Sequence, residues 1–172
     1  FGSPRQARRG FTPVSLKYNY CTDSFDCWPT AMSENDALAV LTAYPPEFQP
    51  TQLTFLGGAG GFSGAAFWRW NGPNGQFCLR RWPQEHPTEN RLRFIHAVLE
   101  HVASAGVSFV PVPSATVHGE TVVRYQRHLW EVTPWMPGTA DYAETPTPEK
   151  LTAATRALAV FHLATRSFRH SA

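Results

Sequence analysis

The sequence lacks any apolar run that approaches the roughly 18 to 20 residues of a membrane-spanning helix. It also lacks a basic stripe, because its net charge is only +2 and its basic residues are scattered. Charged residues make up 16% of the chain and apolar residues 42%, which is typical of a globular protein and not of a disordered one. We therefore expect one globular domain with no nucleic-acid partner and no membrane segment.

Cysteine is scarce as well. Cys21, Cys27 and Cys78 form an odd set that provides neither a disulfide framework nor the ligands of a cysteine-only metal site. A Cys21–Cys27 disulfide stays open as an alternative. We expect the chain to work in the reducing cytoplasm.

Regular periodicity is missing from residues 1–31, which show no sustained period of 3.6 or 2. The character changes at Met32, where Ser33 is predicted to cap a helix over residues 34–44. We interpret Met32 as the natural start. Residues 1–31 are then upstream translated sequence or a poorly ordered, irregular extension.

The remaining chain is predicted to alternate short strands with three helices. The predicted strands are 52–56, 65–70, 76–82, 107–112, 115–117, 121–125 and 128–132. After the helix at 34–44, Thr88 is predicted to cap a second helix that runs to about residue 105, with Leu92, Ile95, Leu99 and Val102 at helical spacing. The third helix covers 150–165, with one side formed by Leu151, Ala154, Leu158, Phe161 and His162. Hairpins join most strands, so we expect an α+β lobe, an antiparallel sheet with one packed helix, and not a doubly wound parallel sheet.

A glycine-rich loop follows the first of these strands. Gly57, Gly58, Gly60 and Gly61, followed by Ser63, give a backbone that can approach an anion closely. A flexible hairpin is the alternative interpretation. In a Rossmann or Walker site the glycines would open a helix, whereas here they lead into the β-prone segment AAFWRW. A glycine loop between two antiparallel strands favours a kinase-type flap over phosphates.

The third strand carries a candidate phosphate ligand. In a kinase-like lobe this strand supplies a cation to the phosphates and a helix acid holds that cation. Arg80 takes the cation position, and Arg81 is predicted to face the other side of the sheet. Glu89 is the first candidate for the helix acid and Glu85 the second. Ordinary surface charges are the alternative.

Five degenerate motifs then occur in a fixed order: LTFLGGAGGFSGAAFWRW, FCLRRWP, HVASAGVSFVPVPSA, LWEVTPWMPG and LAVFHLAT. Together they resemble the aminoglycoside phosphotransferase, homoserine kinase and choline kinase superfamily, which has a protein-kinase-like fold. The resemblance implies an N-lobe over residues 32–133. It implies a hinge and the first C-lobe helix, where a truncated C-lobe begins, over residues 134–172.

The resemblance also implies site roles. The glycines of the loop and Ser63 line the triphosphate of ATP, Arg80 contacts phosphate, and Glu89 orients Arg80. If Gly138 is the glycine after the hinge, the Pro134 carbonyl accepts from the adenine amino group and the Met136 N–H donates to the ring, with Thr133 at the back of the pocket. His162 is structural. ATP, Mg²⁺ and a small-molecule acceptor are the implied ligands, although a proline-stiffened surface linker is the alternative for residues 134–138.

Two departures from the family pattern matter. Arg80 stands where a lysine is expected. The family's His-Gly-Asp-x-x-x-x-Asn loop and metal-binding aspartate follow the first C-lobe helices, and no aspartate follows Asp141 in these 172 residues. We therefore assign no catalytic or metal-binding residue, and we expect the fragment to be inactive alone.

Three functions remain open at this point. The first is the ATP-binding lobe of a small-molecule O-phosphotransferase. The second is a non-catalytic, nucleotide-binding pseudokinase module. The third is a β-rich interaction module in which exposed aromatics bind a protein partner; its candidate residues are Trp68, Trp70, Trp82 and Trp135. The acceptor cannot be read from these residues.

Overall fold

A computed structural model describes residues 34–58 and 63–169. The helices are α1 (Glu34–Leu41), α2 (Glu89–Ser104) and α3 (Pro148–Thr165), with a short 3₁₀ turn at Pro46–Phe48. The strands are β1 (Thr54–Gly57), β2 (Ala66–Gly72), β3 (Gly75–Arg81), β4 (Val123–Tyr125) and β5 (His128–Pro134). The interpretation of residues 1–31, the start at Met32 and the Ser33 cap all fall outside the described residues.

The five strands form one sheet in the order β1-β2-β3-β5-β4, and every neighbouring pair is antiparallel. The α+β prediction is confirmed. β1 and β2 are joined across the glycine loop, and β2 and β3 across the tight turn at residues 72–75. No helix springs from the glycines on the described side of the loop, because Ala66 already begins a strand.

The sheet has one strongly apolar face. Trp68, Leu79 and Val132 are directly opposed across β2, β3 and β5, and each is at most 2% exposed. Trp130 stacks on Trp68 with ring centroids 5.4 Å apart. Because directly opposed residues share a face of the sheet, these side chains form the centre of its core.

Aromatic contacts connect this face to the segment after α1. Tyr44 packs against Phe48, Phe48 against Phe77, and Phe77 against Trp70. Trp70 is 2% exposed, like Trp68, while Trp82 and Trp135 are half-buried. Two of the four tryptophans considered for a partner-binding surface are therefore core residues.

Helix α2 begins as predicted, because the Thr88 hydroxyl accepts a hydrogen bond from the Arg91 N–H at 3.3 Å. The face it buries differs from the prediction. Ile95 is 36% exposed, whereas the neighbouring His96 is 2% exposed. Leu92 and Val102 are buried as expected. The structure thus directs His96, a polar residue of α2, toward the sheet, where it has hydrogen-bond partners.

The predicted strands at 107–112 and 115–117 are wrong. This segment has no regular secondary structure. It makes isolated backbone hydrogen bonds, such as the 2.8 Å bond from Ser114 N–H to the Val132 carbonyl of β5. Pro111 and Pro113 have no N–H and cannot take part in a ladder. Two prolines within three residues therefore prevent a regular strand.

Helix α3 packs against α2 through Phe161 and Ala164, which contact the cluster of Val102, Val107 and Val110. None of its residues is buried, and Leu151 and Leu158, predicted to lie on its apolar side, are 54% and 55% exposed. Among the described helices, none has the length and apolar character that a membrane crossing requires.

Candidate functional site

A cavity of about 310 Å³ lies against the face of the sheet opposite the tryptophan core. Its lining residues come from β2, β3, β5, the following linker and the 107–117 segment: Phe67, Cys78, Arg80, Pro111, Thr133, Pro134, Trp135 and Met136. Four of the residues singled out from the sequence, Arg80, Thr133, Pro134 and Met136, therefore border the same space. The structure brings them together although they are far apart in the chain.

The strand register explains this convergence. Phe67 is opposed to Arg80, and Cys78 is opposed to Thr133. Because side chains alternate along a strand, these four lie on one face. Arg81 lies on the other face, where its guanidinium is 6.0 Å from the Trp130 ring centroid. Burial lowers the pKa of Arg81, and the Asp36 carboxylate opposes that shift. The predicted separation of Arg80 and Arg81 is confirmed.

Backbone groups also point into this region. The Trp135 N–H donates to the Gln76 carbonyl at 2.8 Å, which extends the β3–β5 ladder one residue past β5. Hydrogen-bonded and free pairs alternate in an antiparallel ladder. The Pro134 carbonyl therefore points away from β3, on the same side as the Val132 carbonyl that accepts from Ser114. Pro134 and Met136 themselves line the cavity.

Arg80 is held between two aromatic rings. Its guanidinium carbon is 5.0 Å from the Phe67 centroid and 4.8 Å from the Trp82 centroid, distances at which cation–π attraction is effective. Its side chain is 32% exposed. Among the described residues, the buried Nε atoms of Arg80 and Trp82 have no hydrogen-bond partner. A planar cation that packs against two aromatic rings thus lines the cavity.

The carboxylate that contacts Arg80 is Glu131 and not Glu89, which corrects the prediction. Arg80 Nη1 donates to Glu131 Oε1 at 3.0 Å, and the two residues are directly opposed on β3 and β5. Glu131 is only 3% exposed. A strand register places these residues face to face, whereas the start of α2 directs its first-turn acid elsewhere.

Glu89 instead forms ion pairs within α2 and between α2 and β4. It accepts from Arg93 at 2.9 Å and from Arg124 of β4 at 2.7 Å. The hydrogen bond from Arg124, followed by that from Arg93, lowers the pKa of Glu89. The second sequence candidate, Glu85, is exposed. Glu89 thus acts in a surface ion-pair network and not at the cavity.

The second oxygen of Glu131 meets the helix. His96 Nε2 lies 2.5 Å from Glu131 Oε2, and His96 Nδ1 lies 2.7 Å from the Thr121 hydroxyl. This pair of contacts explains why α2 buries His96 in preference to Ile95, since a buried carboxylate requires hydrogen-bond donors. Neither Glu131 nor His96 was identified from the sequence. The signal was present in the single charged residue within the strand LWEVT.

The glycine loop is described at its two ends. Gly57 and Gly64 have φ angles of +64° and +67°, the left-handed region that favours glycine. Ser63 lies at the exit, where its carbonyl is 3.0 Å from His86 Nε2 and its hydroxyl accepts from Ala65 N–H at 3.4 Å. Gly58 is in a turn. Gly60 and Gly61 fall outside the described residues, so their predicted phosphate contacts stay predictions.

Cys78 forms part of the cavity floor. It is 6% exposed, and burial raises the pKa of its thiol to about 11. A group with that pKa is a neutral thiol near pH 7 and packs as a small apolar residue. The side of the cavity nearest Thr133 is therefore uncharged, while the side nearest Arg80 is cationic.

Several solved structures share this fold. An aminoglycoside phosphotransferase from Alicyclobacillus acidocaldarius subsp. acidocaldarius DSM 446 is 24% identical with a TM-score of 0.56, over 76% of this chain and 35% of that one. The amicoumacin kinase hAmiN, solved with AMP-PNP, Ca²⁺ and Ami, is 17% identical with a TM-score of 0.61, over 81% and 42%. The chain thus spans less than half the length of these proteins.

A spectinomycin phosphotransferase, APH(9)-Ia, solved with ADP and spectinomycin, is 9% identical with a TM-score of 0.57, over 83% of this chain and 43% of that one. At these identities the likeness establishes the fold, a protein-kinase-like N-lobe, as predicted. A comparison with curated protein sequences gave no match.

The family comparison reaches further than the fold. The sequence profile of the phosphotransferase enzyme family (APH) matches residues 54–172, which include the whole sheet, α2, the linker and α3. The match covers more than half of the 172 residues. The chain belongs to the phosphotransferase enzyme family.

Proposed function

We propose that residues 32–133 and the linker that follows form the ATP-binding lobe of a small-molecule O-phosphotransferase. The observation that carries this proposal is the cavity shared by Arg80 and the segment Thr133–Met136. A nucleotide has an apolar, hydrogen-bonding base and an anionic tail. The cavity has the backbone of the linker and apolar side chains on one side and the cation Arg80 on the other. These two sides match the two parts of a nucleotide.

The base would lie along the linker. The outward Pro134 carbonyl accepts from the adenine amino group, and Met136 N–H, the next outward group in the alternation, donates to the ring. Phe67 and Pro111 supply apolar surface to the cavity. Thr133 and the neutral Cys78 thiol limit its depth.

The phosphates would lie toward Arg80 and the glycine loop. Gly57, Gly58, Gly60, Gly61 and Ser63 are proposed to close over them with backbone N–H groups, which bind anions at short range. Arg80 supplies the positive charge. Its fork of donors can bind a phosphate bidentately, which a lysine cannot do.

Among the described residues, no three His, Cys, Asp or Glu side chains lie together as a potential metal site. We propose that the metal ligands, the general base and the acceptor site of the whole protein lie outside these residues, and that this chain alone binds nucleotide without transferring phosphate. Two of the related structures hold a nucleotide together with a small molecule, AMP-PNP with Ami in one and ADP with spectinomycin in the other. Their ligands favour an antibiotic-like or other small hydroxylated acceptor, phosphorylated in the cytoplasm, where ATP is available.

Calorimetric titration of the 172-residue chain with ATP and with adenosine tests the proposal. Arg80→Ala should weaken ATP binding by at least about tenfold, since a hydrogen bond to a charged group contributes ~1.5–3 kcal/mol. Adenosine binding should stay within about twofold because it has no phosphate. Arg156→Ala, which removes an exposed arginine of α3, is the matched control. Equal affinity of ATP for the parent chain and Arg80→Ala would remove Arg80 from the site.

A non-catalytic pseudokinase module is the second candidate. It is favoured by Arg80 in the lysine position. Phosphate transfer from ATP to a panel of aminoglycosides by the complete gene product separates the two. Turnover supports the enzyme, and tight ATP binding without turnover supports the module.

A further inference from the structure

Glu131 is a buried anion with two partners that come from different elements. Arg80 of β3 contacts one carboxylate oxygen at 3.0 Å, and His96 of α2 contacts the other at 2.5 Å. His96 is itself 2% exposed. The acid thus bridges the strand that carries the cation and the helix that packs beside it.

Donors and acceptors can be assigned along the hydrogen bonds that join Thr121, His96 and Glu131. A carboxylate only accepts, so His96 Nε2 donates to Glu131. Nδ1 of the same ring, 2.7 Å from the Thr121 hydroxyl, then accepts from that hydroxyl when the ring is neutral. Thr121, His96, Glu131 and Arg80 form an unbroken chain of side chains from the start of the β4 region to the cavity.

This chain restricts the guanidinium of Arg80 in more than one direction. Phe67 and Trp82 lie within cation–π distance of it, and Glu131 fixes one of its nitrogen atoms. A side chain held in this way loses little further freedom when it binds an anion. The restraint on Arg80 should therefore raise the affinity for a ligand's phosphates and leave the affinity for its base unchanged.

We propose that Glu131 and His96 are positioning residues that hold Arg80 for a nucleotide phosphate. In this arrangement α2 contributes a histidine that acts through a strand acid, where a carboxylate on the helix was expected. The inference rests on the proposed function, because it requires a phosphate ligand at Arg80. It adds that a displacement of α2 changes phosphate affinity through His96 and Glu131.

The test compares ATP and adenosine affinities of the full chain and its variants. His96→Ala and Glu131→Gln should each weaken ATP binding by about tenfold, the scale of one charge-assisted hydrogen bond, and change adenosine binding by less than about twofold. His96→Gln, whose amide can donate to Glu131, should restore most of the ATP affinity. His101→Ala is the matched control, since His101 lies on α2 but contacts Ala164 and Ser167.

A double-mutant cycle supplies the decisive comparison. In an Arg80→Ala background the His96 and Glu131 substitutions should no longer change ATP affinity, because they act through Arg80. Effects that persist in that background overturn the inference, as do equal losses for ATP and adenosine or tighter ATP binding by Glu131→Gln. If Glu131→Gln fails to fold, the His96→Ala and His96→Gln pair decides.

A different result would overturn the proposed function itself. If the parent chain binds neither ATP nor adenosine, the nucleotide site itself is wrong and the inference falls with it. If Arg80→Ala loses ATP affinity while the His96 and Glu131 variants keep it, the nucleotide site stands and only the positioning role is overturned.

Discussion

Arg80 and Glu131 are 51 residues apart in the chain and directly opposed across β3 and β5, with their side chains in contact at 3.0 Å. The register of a single pair of strands creates this contact. It places a cation at the cavity and its counter-charge inside the fold, where Glu131 is 3% exposed. The stability of the lobe and the charge of its site are therefore connected.

Glu131→Gln should lower the free energy of unfolding by about 1–3 kcal/mol, since it leaves buried donors with weaker partners. The loss is no larger because the Arg80 side chain is 32% exposed, so solvent partly screens its ion pair with Glu131. Urea denaturation measures it. Glu120→Gln, which removes an acid with a 52% exposed side chain that pairs with Arg93, should cost less than about 1 kcal/mol. An equal cost for both variants would contradict the buried pairing.

Glu89 should affect acid stability and not nucleotide affinity. Hydrogen bonds from Arg124 and Arg93 lower its pKa below the ordinary value of 4.5. A depressed folded pKa contributes stability that is complete above the unfolded pKa and is lost as the pH falls through the folded one. Glu89→Gln should therefore flatten the loss of stability below pH 4.5, measured by thermal melting across a pH series.

The same variant should bind ATP within about twofold of the parent chain, since surface ion pairs contribute only ~0.2–1 kcal/mol and this one is remote from the cavity. A loss of ATP affinity comparable to that of Arg80→Ala would restore Glu89 to the site.

Cys78 should react slowly with thiol reagents. Burial raises its pKa to about 11 from an ordinary 9.0, so at pH 8 its thiolate fraction is roughly 100-fold smaller than that of an ordinary thiol. In a chain with Cys21 and Cys27 replaced by serine, the alkylation rate should rise steadily up to pH 10. Saturating ATP should slow it further. A rate that levels off near pH 9, or that ATP does not change, would contradict this placement of Cys78.

Gly57 should tolerate asparagine better than alanine. Its φ of +64° strains most side chains, although an added Cβ would meet no atom within 4 Å. Gly57→Ala should cost about 1 kcal/mol of unfolding free energy from backbone strain alone, and Gly57→Asn should cost less, because asparagine adopts this conformation more readily. Equal melting temperatures for the parent chain and Gly57→Ala would exclude a left-handed residue at this position.

Local patterns predicted the parts of the fold that local contacts build. Strand alternation and the glycine loop are contiguous signals, and the sheet from β1 to β3 follows them. The Thr88 cap and the α2 boundaries are equally local. The family resemblance was needed, as well as the residues, to predict that one site is formed by Arg80, Thr133, Pro134 and Met136.

Long-range pairing was the part that the sequence did not reveal. Glu89 is near Arg80 in the chain and looked like its partner, whereas Glu131 reaches it through strand register. The hydrophobic period of α2 favoured Ile95 as the buried residue, and a hydrogen bond to a buried acid outweighed that preference at His96. Pro111 and Pro113 ended a β-prone stretch that valine and phenylalanine composition had favoured.

The 2.8 Å bond between Trp135 and Gln76 has a mechanical consequence. It extends the two-stranded ribbon of β3 and β5 past the last strand residue, so the start of the linker is hydrogen-bonded directly to the strand that carries Arg80. If the linker binds the base and Arg80 binds phosphate, as proposed, this bond helps to set the distance between the two ends of the nucleotide site.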